Sequence, residues 1–417
     1  MVGAARALPH LSTQGAVIDV IRAAGTISRA GLIERTGLTG ATISTVVRRL
    51  IDLGLVLEAG RAESTGGKPR VLLRLNDTAR YAIGVHLDRS GVVYVLTTLG
   101  GTVVALRPGT VDPADEPDAS VTRMAADVEQ LIETAAVDRG RVLGLGLVSA
   151  GPLAPLSGVR LTPTLMRQWK DFPLGRALQD AVGLPVLLEN DATAAALGEH
   201  WAGRAGPDGT FAAVYMGTGI GSGIIINGGA FSGVSGNAGE FGHICLDRNG
   251  PECWCGSRGC LEVLAGPVAV VAAARADPDI RLAAELADEP SPGTATADFD
   301  AVTMLALHGH VGARQLLEDS ADYLGRATRS LANVLDIDLI VLTGPSFAAA
   351  GSIYGPVIQA ELDRSHVSRA THRIAVVVSP VARTAAAVGG AALVLQAELV
   401  PQRSGLRLPT QPEVPHA

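Results

Sequence analysis

Between residues 239 and 262 the chain reads GEFGHICLDRNGPECWCGSRGCLE, a stretch holding His243 and all four cysteines, Cys245, Cys253, Cys255 and Cys260. Cys253-x-Cys255-x4-Cys260 with the upstream histidine supplies three thiolates and one imidazole, a complete tetrahedral donor set for Zn²⁺. Closed four-ligand sites hold shape, whereas a catalytic zinc keeps an open position, and no spare ligand pattern stands nearby. Cys245, two residues after His243, lies on the same face if that piece is extended and so competes as a ligand. The plain alternative, ordinary buried thiols, is disfavoured by the tight spacing. Four cysteines so close together make a poor disulfide framework for 417 residues. Metal ligation in a reducing cytoplasm is the expectation.

Two further stretches carry chemistry. Asn190-Asp191 falls where the apolar run LPVLL gives way to the helical pattern ATAAAL. A carboxylate at a strand-to-helix junction can accept a hydroxyl proton and activate the oxygen. The same carboxylate could instead cap the helix beginning at Ala192. Gly217-Thr218-Gly219-Ile220-Gly221 offers bare backbone N–H groups to an anion. Any hairpin turn can be glycine-rich, so a phosphate role requires a partner turn at the first strand pair.

These groups need elements to place them. From Tyr81 onward the chain reads strand-turn-strand-turn-strand, then a helix over about 119–138, then the buried strand RVLGLGLVS and a glycine loop. TFAAVYMGTGIGSGIIINGGAF reads as a hairpin of apolar strands; after 262 the pattern turns helical, with later strands at DLIVLTG and RIAVVVS. The β-β-β-α-β-α order, loosely repeated, implies two α/β lobes around a cleft. Segment 275–300, rich in Pro, Asp and Gly, is expected to be a surface loop, and 401–417 a disordered tail.

The N-terminal 76 residues differ. A short helix over about 29–36 runs into Gly37-Leu38-Thr39, and a second helix follows with Ile43, Val46, Val47 and Leu50 on one face. Two helices joined by a short turn containing Gly are a helix-turn-helix. Thr39, Ala41, Thr42, Ser44, Thr45 and Arg48 fall on or near the outward side, suited to entering a major groove. A hairpin follows, and Lys68 and Arg70 at its base would meet phosphates. Residues 1–76 carry ten basic and five acidic side chains, about +5, against a whole-chain charge of −7. A basic head on an acidic body fits DNA reading rather than whole-surface nucleic-acid binding. No uninterrupted apolar run of membrane-spanning length and no signal-peptide pattern is seen, so a cytoplasmic location is expected.

LPVLLENDA, MGTGIGSGI, GNAGEFGHI and CWCGSRGCLE, in this order, resemble the motifs of the ROK family (repressors, open reading frames and sugar kinases). The resemblance runs from about 12 to 398. It implies a winged helix-turn-helix over 1–76 and a two-lobed actin-like (ribonuclease-H-like), ATPase-type body over 77–400, with lobes of about 80–190 and 191–398. It also implies a sugar site of Gly151, Asn190, Asp191, Glu240, His243 and Glu262, where Asp191 would be the base in a kinase. The family pattern favours His243, Cys253, Cys255 and Cys260 as structural Zn²⁺ ligands over Cys245. A zinc-bound His243 could then use its other ring nitrogen on a sugar hydroxyl.

The sequence departs from the kinases at the first phosphate turn. The family carries an Asp-x-Gly-Gly-Thr type turn, whereas Asp88-Arg89-Ser90-Gly91-Val92 lacks the paired glycines and the threonine. Ala154 and Thr164 stand where aspartate and asparagine are common, which puts the particular sugar in doubt. Phosphoryl transfer rests on positioning and charge stabilisation, so sugar binding without turnover is expected. The reading is a sugar-responsive repressor whose partners are double-stranded, palindromic operator DNA, a monosaccharide or sugar phosphate, and a second copy of the chain. The alternatives are an ATP-dependent hexose or hexosamine kinase carrying a DNA-binding head, and a platform for a protein effector.

Overall fold

The computed structural model describes residues 13–61, 70–88, 91–110, 115–151, 153–154, 158–159, 172–201, 209–289 and 293–399. Lys68, Arg89, Ser90, Thr164 and the 401–417 tail lie outside the described residues.

The N-terminal part packs helix α1 (Thr13–Ala24), strand β1 (Ile27–Ser28), α2 (Arg29–Thr36), α3 (Gly40–Asp52), β2 (Val56–Arg61) and β3 (Val71–Leu75). Local chemistry sets the boundaries. The Ser28 hydroxyl accepts from Gly31 N at the start of α2, and Gly37 takes the left-handed conformation that ends it. Thr39 caps α3 by accepting from Thr42 N. Ile43, Val47 and Leu50 are fully buried on the inner face of α3. The three strands form one antiparallel sheet in the order β1-β3-β2, the expected hairpin with a third strand added.

The body contains β4 (Tyr81–Asp88), β5 (Gly91–Thr98), β6 (Val103–Gly109), α4 (Pro117–Thr134), β7 (Val142–Ser149), the short pair β8 (Leu153–Ala154) and β9 (Gly158–Val159), α5 (Leu174–Val182), β10 (Val186–Asn190) and α6 (Asp191–Trp201). Then follow β11 (Phe211–Met216), β12 (Ile220–Ile226), β13 (Gly229–Ala230), α7 (Leu261–Ala265), α8 (Pro267–Ala276), α9 (Pro278–Ala283), α10 (Ala295–Leu307), α11 (Val311–Leu335), β14 (Leu339–Thr343), α12 (Pro345–Ser365), β15 (Ala375–Val378) and α13 (Ala385–Leu399). The two five-stranded sheets run β6-β5-β4-β7-β10 and β13-β12-β11-β14-β15. In each, an antiparallel meander is extended by two parallel strands, so the halves share one topology. This is the two-sheet actin-like architecture.

Contrary to expectation, segment 275–300 is not a loop throughout: the C-terminal end of α8, then α9 and the start of α10, take up most of its described residues, with 284–289 and 293–294 non-helical. Pro278 sits at the first position of α9, where its missing N–H costs nothing, and the Asp277 carboxylate accepts from the N–H groups of Asp279 and Ile280. Phe299 and Val302 of α10 are fully buried in the core of the second sheet.

Between the sheets lie α6 and α13, packed on each other, with α6 against β11 and β12 and α13 against β4 and β7. Their approach is backbone to backbone. A Cβ on Gly389 would stand 1.6 Å from the Ala194 carbonyl oxygen, and one on Gly146 of β7 would stand 1.9 Å from that of Gly390. The apolar core of the N-terminal part is continuous with this pair: Val17, Ile18, Leu32 and Leu50 share a cluster with Trp201 and Leu395. No helix among the described residues is long and apolar enough to cross a membrane.

Candidate functional site

The turn after β12 lies directly on that strand. Gly239 has φ +93°, and a Cβ there would sit 2.0 Å from the Ser222 carbonyl oxygen; a Cβ on Gly242 would sit 2.2 Å from that of Ile220. Only glycine permits this approach, and it carries Glu240 and the 3₁₀ turn Phe241–His243 onto the sheet. The polypeptide then folds back on itself through the bridges Cys245–Cys260 and Glu252–Arg258.

His243, Cys253, Cys255 and Cys260 converge, with their ligand atoms all within 4.8 Å of one another. Cys255 Sγ lies 3.7 Å from Cys260 Sγ, and Cys253 Sγ lies 3.5 Å from His243 Nδ1. A tetrahedral zinc with Zn–S bonds of about 2.3 Å sets its sulfurs about 3.8 Å apart. The residues therefore fit the ion. Burial and the packed neighbouring thiols push Cys260 up to about 12, a cost that a dication at the centre would remove. Cys245, the competing candidate, is exposed and stands outside the set.

With Nδ1 turned to the sulfurs, His243 Nε2 faces Glu240, 3.8 Å from Oε2. Trp254 packs edge-on against the His243 ring and donates its indole N–H to Glu262 Oε1 at 3.0 Å. The other Glu262 oxygen accepts from Ile220 N at 3.1 Å. Burial raises the Glu240 carboxyl; His243 lowers it, while Asp191 and Glu262 raise it further, so these groups share one field.

On the opposite side Asn190 ends β10 and Asp191 begins α6. The Asn190 amide oxygen accepts from Ala192 N and Thr193 N, and its NH₂ reaches Gly151 O at 3.4 Å. Asn190 is thus the principal cap of α6. Asp191 contributes one oxygen to Ala192 N, and its Oδ2 lies 3.9 Å from His86 Nε2. His86 Nε2 is also 3.4 Å from the Tyr215 hydroxyl. Sequence reasoning missed both residues, because each lies inside an apolar strand and the contact joins positions 129 apart. Glu189, also missed, is buried on β10. Burial pushes its carboxyl up to about 7, opposed by a hydrogen bond from Asn190 N.

Thr218, in the glycine turn between β11 and β12, donates to Asp88 Oδ1 at 3.2 Å. The C-terminal end of β4 therefore meets the turn after β11. In α3, Thr39, Ala41, Ser44, Thr45 and Arg48 are exposed and Thr42 is half-buried; Arg70, ahead of β3, is exposed. Ala154 lies on β8.

A model of the ROK family matches residues 102–397. The chain belongs to the ROK family. Among ROK relatives it is 31% identical, over 89% of its length and 92% of the other's, to a "putative xylose repressor" of Caldicellulosiruptor sp.. Of solved ROK structures, a transcriptional regulator described as a homologue of the E. coli MLC protein superposes with a TM-score of 0.70 and 28% identity, covering 93% of this chain and 96% of that one. A glucokinase from Streptomyces griseus, solved with glucose and AMPPNP, gives 0.64 and 28% over 75% of this chain and 98% of its own. The glucokinase match covers less of this chain than the regulator match does.

Proposed function

We propose that this ROK protein is a sugar-responsive transcriptional repressor of carbohydrate uptake or metabolism genes. Residues 1–76 act as a winged helix-turn-helix on double-stranded DNA, read by Thr39, Ala41, Thr42, Ser44, Thr45 and Arg48, with Lys68 and Arg70 on phosphates. Residues 77–400 bind a monosaccharide or sugar phosphate between the sheets, at Gly151, Asn190, Asp191, Glu240, His243 and Glu262. Structural Zn²⁺ on His243, Cys253, Cys255 and Cys260 orients Glu240 and His243. The chain works in the cytoplasm as at least a dimer on a palindromic site.

The observation that carries this reading is the join between the two functions. Polar groups able to fix sugar hydroxyls cluster at the N-terminal end of α6, and the helix-turn-helix core packs at its C-terminal end against Trp201. The putative xylose repressor and the regulator structure match 89% and 93% of this chain, against 75% for the glucokinase structure. Repression follows if the sugar favours one closure of the sheets and that closure alters the spacing of two DNA heads.

A thermal-shift screen of sugars and sugar phosphates, followed by DNA-binding assays with each hit, tests the reading. The expected hit changes DNA affinity without being consumed. Robust ATP-dependent phosphorylation of the hit would replace this reading with the kinase, whose glycine turn and Asp88–Thr218 contact are present here.

A further inference from the structure

We propose that His86, supported by Tyr215, is the positioning residue that fixes the orientation of the Asp191 carboxylate at the effector site. This inference rests on the sugar-binding reading above and adds to it what holds Asp191 in place.

The three groups come from three elements. His86 projects from β4 of the first sheet, Tyr215 from β11 of the second, and Asp191 from the first turn of α6 between them. All three are buried, at 5%, 4% and 7% exposure. His86 Nε2 lies 3.9 Å from Asp191 Oδ2 and 3.4 Å from the Tyr215 hydroxyl, with the His86 and Tyr215 rings edge to face. The described charged and titratable groups acting on His86 are Asp191 of α6, Asp88 at the end of its own strand, and the neutral Tyr215 of β11. Neighbouring β7 carries no titratable side chain. Tyr94 of β5 belongs to the apolar cluster that includes Val121 and Met124 of α4.

Burial alone would strip the proton from an imidazole. Here donation from His86 to the Asp191 carboxylate and the charges of Asp88 and Asp191 outweigh burial and hold His86 above its ordinary value. Asp191 is thereby held from both sides, with Ala192 N donating to Oδ1 and His86 Nε2 facing Oδ2. A carboxylate fixed in this orientation can accept a hydrogen bond from a hydroxyl without first losing rotamer freedom. Because the pair joins the sheets at the site, its charge state also bears on effector affinity.

Two measurements test this on the full-length protein with zinc supplied. The first is an NMR titration of the His86 ring, assigned by its loss in His86→Asn. The midpoint is expected above 6.5, falling below that value in Asp191→Asn. A midpoint at or below 6.5, or one that ignores Asp191→Asn, overturns the proposal, and both outcomes are readable even if His86→Asn does not fold. The second is calorimetry with D-xylose and D-glucose at about pH 6 and about pH 9. Affinity should drop at least roughly tenfold with rising pH in the wild type and stay level in His86→Asn or His86→Gln. An equal pH slope in those variants overturns the proposal. If neither sugar binds at either pH while His86 titrates as expected, the ion pair stands and the sugar-binding reading falls.

Discussion

On one side of the proposed effector site α6 and α13 touch through glycine and carbonyl groups, with no room for a single added carbon at Gly389. On the other, residues 240–262 run as turns and bridges, with only Leu261 and Phe241 as large fully or nearly fully buried anchors. The first region is held by close packing and by the apolar surface it removes from water. The second has little core of its own, and under the proposed reading a metal on His243, Cys253, Cys255 and Cys260 fixes its shape. On that reading one part fails when a methyl group is added and the other when an ion is removed.

The comparison breaks first on the helix side. Gly389→Val places atoms against the Ala194 carbonyl that cannot move aside, so a loss of about 4 kcal/mol or more and largely insoluble protein are expected, read by denaturant unfolding. Next is Glu189. A folded value of about 7 against an ordinary 4.5 means the folded state binds the extra proton between those limits. Its contribution is fully present below about 4.5 and is lost as pH rises through about 7. Glu189→Gln should therefore gain stability over the wild type by up to roughly 3 kcal/mol between about pH 5 and pH 8.

On the metal side the effect is on binding before stability. Chelation, or Cys255→Ser, should weaken sugar affinity by at least about tenfold, while circular dichroism and DNA binding by the head persist. If sugar affinity survives in metal-free protein, the two sides are not built differently after all. The smallest effect belongs to the link between site and head. The Arg22 guanidinium donates to the Trp201 carbonyl and stacks on the Trp201 ring, centred 4.5 Å away, at the C-terminal end of α6. Arg22→Ala should leave sugar affinity within about twofold but reduce the sugar-induced change in DNA affinity by several-fold, roughly 1 kcal/mol of coupling.

The regions also differ in how far the sequence disclosed them. The convergence of His243, Cys253, Cys255 and Cys260 was legible from C-x-C-x4-C and an upstream histidine, because all four lie within one short stretch. Helices α2 and α3 and the turn between them were legible for the same reason: Ser28, Gly37 and Thr39 write their caps locally. The partners of Asp191 were not. His86 and Tyr215 sit at alternating positions of strands whose neighbours are apolar, and only tertiary pairing of two sheets brings them together. The helices within 275–300 were hidden by composition, although Asp277-Pro278 is itself a helix-start signal. Asn190 rather than Asp191 is the main cap of α6 because it stands one residue before the helix begins, in reach of Ala192 N and Thr193 N.

The central claim is that a sugar held at Asp191 changes what the head does on DNA. Genomic DNA fragments captured by the full-length protein, with and without a mixture of D-xylose and D-glucose, test it most directly beside Asp191→Ala. The account expects the sugars to change the DNA recovered by the wild type at least severalfold and to leave recovery by Asp191→Ala unchanged. Sugar binding that leaves DNA capture untouched, or an equal response in both proteins, would contradict it.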